Sequence, residues 1–195
     1  MALTKTEIIK RSIPVFKEKG YNATCMADIA NATGILKGSI YHHFPSKEAL
    51  MTEILEYLRS YFVEKVFSIA YNEKSPIEKR LEKLARKSEE HFLDGTGGCF
   101  MSMIGTETVL NQKSFNLIIT EFFKDWHSAF MHLYSQVTDA QKADQYSERA
   151  IMLIEGAVLL MRIHNNVDYL TKVQKMLLSE FKLLNINHIK KSTIQ

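Results

Sequence analysis

The chain contains few residues that interrupt helices, with only 3 prolines and 8 glycines among 195 residues. It also has only 2 cysteines, Cys25 and Cys99, which stand far apart in the sequence. So few cysteines exclude a disulfide framework, and no C-x-x-C pair suggests a structural zinc site. The scarcity of proline and glycine excludes a collagen-like chain and favours helices. We therefore expect an all-α protein with two free thiols and no metal.

Long hydrophobic runs are also missing. The longest apolar run, residues 151–161, is interrupted by Glu155 and is shorter than the ~20 residues of a membrane span. The first residues lack the apolar segment of a signal peptide. A content of 46% hydrophobic and 24% charged residues is typical of a globular chain and excludes a disordered one. We therefore expect a cytoplasmic protein without a membrane partner.

The positive charge is unevenly distributed. The net charge is +3. Residues 1–50 hold 7 lysines and arginines against 4 acidic residues, whereas residues 51–195 hold 18 of each kind. This asymmetry predicts an anion-facing N-terminal module on a neutral body.

The spacing of apolar residues and helix breakers predicts the helices and their ends. Gly20 and Gly34 are expected to stop the first two helices, Thr24 to cap the second, and Ser46 to cap the long fourth. Residues 138–145 read as a polar loop, and the tail from residue 185 as frayed. The predicted helices are 5–19, 25–33, 36–44, 47–66, 77–92, 99–110, 114–137, 146–164 and 169–184.

Two short helices around Gly34 form the most informative segment. Ala30 is small where the two helices would cross, and Ile29, Ile35 and Ile40 are apolar where they would face each other. This layout is that of a helix-turn-helix, a common DNA-binding unit.

The second helix of this pair has one apolar face and one polar face. Leu36, Ile40 and Phe44 follow each other at steps of four and are expected to be buried. The opposite face centres on Gly38 and His42 and carries no acidic residue, which suits a helix in a DNA major groove. On this reading Ser39 and His42 reach base edges, while phosphates are contacted by Tyr41, His43 and Lys47.

Other interpretations of these residues are weaker. A helix pair joined by glycine need not bind DNA at all. His42 and His43 are adjacent on a helix and point about 100° apart, so they do not share one metal ion. No nucleophile and base pair, phosphate loop or carboxylate pair is present. We expect neither an enzyme nor a cofactor.

The run EKGYNATCMADIANATGILKGSIYHHFPSKEALM resembles the N-terminal signature of TetR/AcrR-type transcriptional regulators. The resemblance implies a homodimer that binds a palindromic operator in double-stranded DNA. It also implies a helix-turn-helix DNA-binding domain at residues 1–48 and a helical ligand-binding and dimerisation domain at residues 49–195. The DNA-binding residues that it implies are Thr24, Lys37, Gly38, Ser39, Tyr41, His42, His43 and Lys47.

Two positions depart from the family pattern. Leu36 stands where a serine or threonine often caps the reading helix, and Ala27 stands where a basic or polar residue often helps to contact DNA. A helical small-molecule-binding module with a vestigial DNA-binding domain is therefore one alternative. Another is a regulator that responds to oxidation of Cys25.

The body is similar to the LmrA/YxaF-like subgroup at residues 98–101 and 154–161. The similarity implies a small, apolar or aromatic effector that releases a repressor from DNA. Apolar, methionine-rich helices can line such a pocket, although apolar stripes are more often plain core. The candidate ligand-binding residues are Phe92, Cys99, Met103, Glu107, Phe123, Trp126, His127, Phe130, Met161 and His164.

Gly156 lies inside the predicted helix 146–164, where glycine costs ~1 kcal/mol relative to alanine. Close helix packing would offset this cost. The packing partner is either a helix of the same chain or a second copy across a two-fold interface formed by the last two helices.

Overall fold

The protein is described by a computed structural model that covers residues 3–94 and 97–194. Over these residues it is all-α and has no strand, as the composition predicts. None of the described helices is both long and apolar enough to cross a membrane. A short 3₁₀ helix, Phe67–Tyr71, precedes α5. The α-helices are α1 (Lys5–Ala23), α2 (Met26–Thr33), α3 (Lys37–His43), α4 (Lys47–Lys65), α5 (Ile77–Phe92), α6 (Phe100–Thr108), α7 (Lys113–Tyr134), α8 (Ala140–His164) and α9 (Asp168–Ile194).

Helix α1 begins with a capping box and is interrupted near its end. The backbone N–H of Glu7 donates to Thr4 Oγ1 at 3.2 Å, and the N–H of Thr4 donates to the Glu7 carboxylate at 2.7 Å. Pro14 stays within the helix, whereas Gly20 leaves helical geometry at φ 77° and ψ 173°. Gly20 therefore breaks the helix where the sequence predicts a stop, but helical residues resume and α1 continues to Ala23.

The expected loop at residues 138–145 is wrong, because α8 already begins at Ala140. Asp139 caps this helix, since its carboxylate accepts the N–H of Lys142 at 3.0 Å. The polar stretch after it still buries Ala143 and Ser147, and this buried face holds the segment in a helix.

The frayed tail expected from residue 185 is also wrong. Helix α9 continues to Ile194. Asn185 Nδ2 donates to Glu78 Oε1 of α5 at 2.9 Å, so a tertiary contact holds a segment whose own composition is polar.

The chain divides into two compact units. The first comprises Met1–Ser60 and Gly95–Phe122, so α6 and part of α7 pack with the first three helices. Its fully buried core includes Phe16, Ile29, Ile40 and Leu50. The boundary after residue 48 stays a prediction.

The second unit comprises Tyr61–Asp94 and Phe123–Gln195. Aromatic side chains dominate its core: Trp126 stacks on Phe130 with ring centroids 6.2 Å apart, and Tyr134 meets Phe181 edge to face at 5.2 Å. Arg80 is also buried in this unit. Its guanidinium donates to the carbonyl of Ala70 at 2.9 Å and to Gln136 Oε1 at 2.7 Å, which joins the 3₁₀ helix to α5.

Removing the cap of α8 tests where this helix begins. We expect Asp139→Ala to lower the Tm by about 2–4 °C, the usual effect of a lost cap in a chain of this size. Asp139→Asn keeps an acceptor oxygen, so its Tm at pH 7 should lie close to that of wild type. Equal melting of wild type and Asp139→Ala would contradict this helix start.

The effect of Asp139 should also depend on pH. The hydrogen bond from the Lys142 backbone holds the pKa of the Asp139 carboxyl below its usual value. Its stabilisation is therefore present above the pKa of the unfolded carboxyl and is lost as the pH falls through the folded pKa. The Tm difference between wild type and Asp139→Ala should shrink on acidification in a pH series of melting curves.

Candidate DNA-binding surface and effector cavity

Helices α2 and α3 form the expected helix-turn-helix. Gly34 joins them in a left-handed conformation, φ 73° and ψ 22°, and its N–H donates to the carbonyl of Ala30 at 2.9 Å. Ala30 and Ile29 are buried on one side of the turn, and Ile40 on the other. The predicted small residue at the crossing is thus in a packed position.

Helix α3 buries one side and exposes the other. Ile40 and the following Phe44 are buried. The exposed residues are Lys37, Gly38, Ser39, Tyr41 and His42, while His43 is half-buried. The exposed side carries hydrogen-bonding groups, one lysine and no acid, so it is chemically suited to the edges of base pairs.

Leu36 was expected in the buried stripe with Ile40 and Phe44, and this is wrong. Its side chain is 81% exposed. The helix begins one residue later, and Leu36 is the N-cap with extended backbone, φ −63° and ψ 144°. Helical spacing does not apply to a residue outside the helix, so Leu36 points away from the stripe.

The Thr24 hydroxyl points inward rather than toward the exposed face of α3. It is 2% exposed and donates to the carbonyl of Gly20 at 2.6 Å. Cys25, not Thr24, is the N-cap of α2, so the predicted cap is displaced by one residue. A contact between Thr24 and phosphate stays a prediction.

Lys47 is likewise engaged with the protein backbone. Its ammonium donates to the carbonyls of Tyr21 at 2.7 Å and Thr24 at 2.8 Å, and it lies 4.4 Å from the centre of the Tyr21 ring. It thereby ties α4 to the end of α1. The Lys47 ammonium can contact a phosphate only if it binds the phosphate in addition to these carbonyls, or if it gives up its hydrogen bonds to them.

The carboxylate of Asp28, in the first turn of α2, is paired with nearby groups of the same chain. Lys19 Nζ lies 2.6 Å from Asp28 Oδ1, and the N–H of Cys25 donates to Asp28 Oδ2 at 2.8 Å. The hydrogen bond from Lys19 and that from Cys25 hold the pKa of Asp28 well below its usual range. The thiol-bearing Cys25 is itself exposed.

The second unit contains a small apolar cavity between α5, α7, α8 and α9. Its volume is about 20 Å³, room for one water molecule. Of the candidate ligand-binding residues, Phe92, Trp126 and Phe130 line it, and ligand contact for these three stays a prediction. The other lining residues are Leu81, Leu84, Ala85, Ser88, Ile154, Gln174, Leu177 and Leu178.

Ser88 is the lining residue with the clearest chemical signal. It is 4% exposed, and its Oγ has no hydrogen-bond partner among the described residues. A buried hydroxyl without a partner costs roughly 1–3 kcal/mol, so it marks a place where a polar group of a ligand or a water can bind. Gln174, the other polar lining side chain, donates to the carbonyl of Ala85 at 3.3 Å.

The remaining candidate ligand residues do not line this cavity. Cys99, Met103 and Glu107 belong to the first unit, and the Glu107 carboxylate accepts the N–H of Asn22. In the second unit His127 Nε2 faces Asp144 Oδ1 at 3.1 Å, and the exposed His164 stacks on Tyr169. Phe123 and Met161 lie on α7 and α8 outside the lining set. Ligand contact for these residues stays a prediction.

Ser88 is not among the residues that the sequence predicts for the site, because that prediction rests on the apolar residues of α5. Leu81, Leu84, Ser88 and Phe92 continue one helical stripe at steps of three and four. A serine inside a buried stripe was the available signal. In the part of the chain that the structure describes, no group of three His, Cys, Asp or Glu residues is placed to hold a metal ion.

These features define an all-α protein with a helix-turn-helix in one compact unit and a small apolar cavity in the other. Residues 8–54 match the family described as bacterial regulatory proteins, tetR family. Residues 76–176 match the C-terminal domain of LmrA/YxaF-like transcriptional regulators, which is more than half of the chain. The chain belongs to the TetR family and is a DNA-binding transcriptional regulator, not an enzyme.

Individual relatives agree with this assignment. The chain is 51% identical over 51 residues to the HTH-type transcriptional repressor KstR2 of Rhodococcus jostii (strain RHA1), a match that spans 26% of this chain and 25% of that protein. It is 26% identical over 161 residues to the uncharacterized HTH-type transcriptional regulator YxaF of Bacillus subtilis (strain 168), which spans 80% and 84%. A TetR transcriptional regulator from Legionella pneumophila shares the fold, with a TM-score of 0.82 over 91% of this chain and 96% of that chain at 22% identity.

Two substitutions separate base reading from phosphate contact. We expect His42→Ala to reduce discrimination at one base pair by about 1–3 kcal/mol, because an exposed imidazole on α3 can bond a base edge. Tyr41→Phe removes only a hydroxyl and should weaken binding to all sequences alike. Competition binding with single-base operator variants measures both, and an unchanged preference in His42→Ala would show that the reading side is misassigned.

Ser88→Ala removes the buried hydroxyl without a partner. We expect it to raise the free energy of unfolding by about 1 kcal/mol in urea titrations. Ser147→Ala is the matched control, because the buried Ser147 Oγ donates to the carbonyl of Ala143 at 2.7 Å. The free energy of unfolding of Ser147→Ala should stay unchanged or fall by about 1 kcal/mol. A loss of stability in Ser88→Ala would show that the hydroxyl has a partner in solution.

Proposed function

We propose that the protein is a homodimeric repressor that binds a palindromic operator and leaves it when a small, largely apolar effector binds. The observation that carries this proposal is the exposed, acid-free side of α3, which presents Lys37, Ser39, Tyr41 and His42 together. A major groove about 12 Å wide admits such a helix. A protein that binds an operator has to reach the DNA, so we place its action in the cytoplasm.

Repression, rather than activation, is supported by the relative KstR2. That protein is a repressor by name, and its 51% identity to this chain falls on a stretch of 51 residues. Because the match spans only a quarter of KstR2, the effector and the regulated genes of that protein are not transferred.

Dimerisation is supported by the apolar side chains that α8 and α9 leave exposed. Large exposed apolar surfaces on soluble proteins commonly mark sites of interaction with another protein. A second copy related by a two-fold axis would cover both helices in a four-helix bundle. These side chains are Met152, Leu159, Leu160 and Ile163 on α8, and Met176, Leu183, Ile186 and Ile189 on α9.

Gly156 lies on the same exposed side of α8. Apart from its chain neighbours and the adjacent backbone of α8 itself, no atom of the described residues stands within 4 Å of the position that a Cβ would take there. Close packing within the chain therefore does not account for this glycine. Close approach of a partner helix does, which favours the interpretation that the surface belongs to a two-fold interface.

The effector is proposed to enter the cavity lined by Phe92, Trp126, Phe130 and Ser88. The aromatic rings suit an apolar ligand, and Ser88 supplies one hydrogen-bonding group. A volume of about 20 Å³ is too small for an effector, so binding requires that the walls move apart. A ligand that binds only the widened form shifts the population of protein molecules toward that form. Release from the operator follows when the widened form binds DNA more weakly than the closed form.

The experiment that tests the proposal is selection of duplexes from a random DNA pool at moderate salt with reductant. We expect an enriched palindrome, whose affinity falls steeply with salt because phosphate contacts release counterions. No enrichment by a preparation free of bound ligand, as shown by mass spectrometry, would instead favour a vestigial DNA-binding domain. Repeating the binding assay after peroxide treatment tests regulation through Cys25.

A charge on the exposed side of α8 tests the dimer. Ile163 is 65% exposed, and Ile163→Glu would bury two carboxylates at a two-fold interface. We expect the dimer Kd to rise by about 100-fold or more in sedimentation equilibrium, because a buried unpaired carboxylate costs several kcal/mol. Leu117→Glu, at a leucine 67% exposed on α7, is the control and should leave the dimer intact. An unchanged Kd in Ile163→Glu would refute the interface.

A further inference from the structure

The segment that links α1 to α2 is held by side chains from outside the first three helices. This segment runs from Gly20, where α1 leaves helical geometry, through the last residues of α1 to Thr24, and is called the α1–α2 turn below. Glu107 of α6 accepts the N–H of Asn22 at 3.0 Å through Oε2. Lys47 of α4 donates to carbonyls of the same turn. A carboxylate thus binds the donor side of the turn, and an ammonium binds its acceptor side.

Gly20 is matched to Glu107. Its backbone, φ 77° and ψ 173°, lies in a region that is essentially restricted to glycine. A Cβ on Gly20 would stand 3.0 Å or less from Cδ and both carboxylate oxygens of Glu107, so any side chain would displace the carboxylate. The backbone conformation by itself requires glycine, and a side chain at this position would also push the Glu107 carboxylate away from the turn.

The α1–α2 turn is directly connected to the reading surface. Its Tyr21 is buried and meets Phe115 edge to face, with ring centroids 5.2 Å apart. Cys25, the next residue after the turn, is the N-cap of α2, and α2 packs on α3. A shift of the turn relative to α6 would therefore move α2 and α3 as well.

We propose that Glu107 is a positioning residue for operator binding: its carboxylate holds the α1–α2 turn on α6 and thereby fixes the orientation of α3. The proposal rests on the proposed dimeric DNA reader. In a dimer, the orientation of each α3 sets the half-site spacing that both copies can reach together. Loss of the Glu107 contact should therefore weaken binding and widen the range of tolerated spacings.

The test uses the full-length protein and the palindrome selected above, with the spacer lengthened or shortened by one base pair. Wild type should bind one spacing and lose most of its affinity for the others. Glu107→Ala should bind the best spacing about tenfold more weakly, with a smaller difference between spacings. Glu107→Asp keeps the charge but not the reach, so it should resemble Glu107→Ala. Glu107→Gln keeps an acceptor oxygen and should stay within about threefold of wild type.

A charge-matched control separates positioning from electrostatics. Loss of any carboxylate should strengthen binding to DNA slightly, because repulsion from phosphate falls. Glu56→Ala removes an exposed carboxylate of α4 and should show only this gain. Weaker binding by Glu107→Ala therefore opposes the electrostatic trend. Circular dichroism and melting curves establish that each variant is folded under the conditions of the assay.

Two results would overturn the inference. One is a set of folded Glu107 variants that keep the spacing preference and affinity of wild type. The other is a Glu107→Ala protein that binds DNA normally and loses only its response to effector, which would assign Glu107 to ligand binding. Failure of wild type to select any palindrome would instead refute the proposed dimeric reader and is recognised before any variant is made.

Discussion

The reading surface depends on the burial of Ile40 and Phe44. Helix α3 has seven residues, too few for a stable helix in water, so its conformation comes from packing. Once these two side chains are buried, the helical angle of 100° per residue determines which residues face outward. The exposed set with Lys37, Ser39 and His42 is therefore a consequence of what the helix buries.

Two side chains that the family resemblance assigns to phosphate contact bind the protein backbone in this structure. Thr24 donates to Gly20, and Lys47 binds carbonyls at the end of α1. Such contacts satisfy backbone groups that a helix end leaves without partners. They also tie the orientation of the reading helix to α4, while Glu107 ties it to α6. Correct placement of α3 therefore relies on a few charged contacts as well as on the apolar core.

The second unit combines a dense aromatic core with two incompletely satisfied features. One is the buried hydroxyl of Ser88 beside a small cavity, and the other is the apolar side of α8 and α9. Both have a free-energy cost in an isolated chain, since a buried donor lacks an acceptor and apolar surface stays in water. A bound effector and a second copy would remove these costs. The proposed regulator thus accounts for features that the isolated fold leaves unexplained.

The sequence by itself determined the helical class, the helix-turn-helix around Gly34 and the residues that α3 exposes. These follow from local periodicity and from glycine at a left-handed turn, which are short-range properties. It did not determine the start of α8, the length of α9, the exposure of Leu36, or the roles of Ser88 and Glu107. Those depend on contacts between residues far apart in the chain, such as Asn185 with Glu78 and Glu107 with Asn22. Only the tertiary structure decides such contacts, because the energy that places a polar side chain comes from the partner it meets after folding.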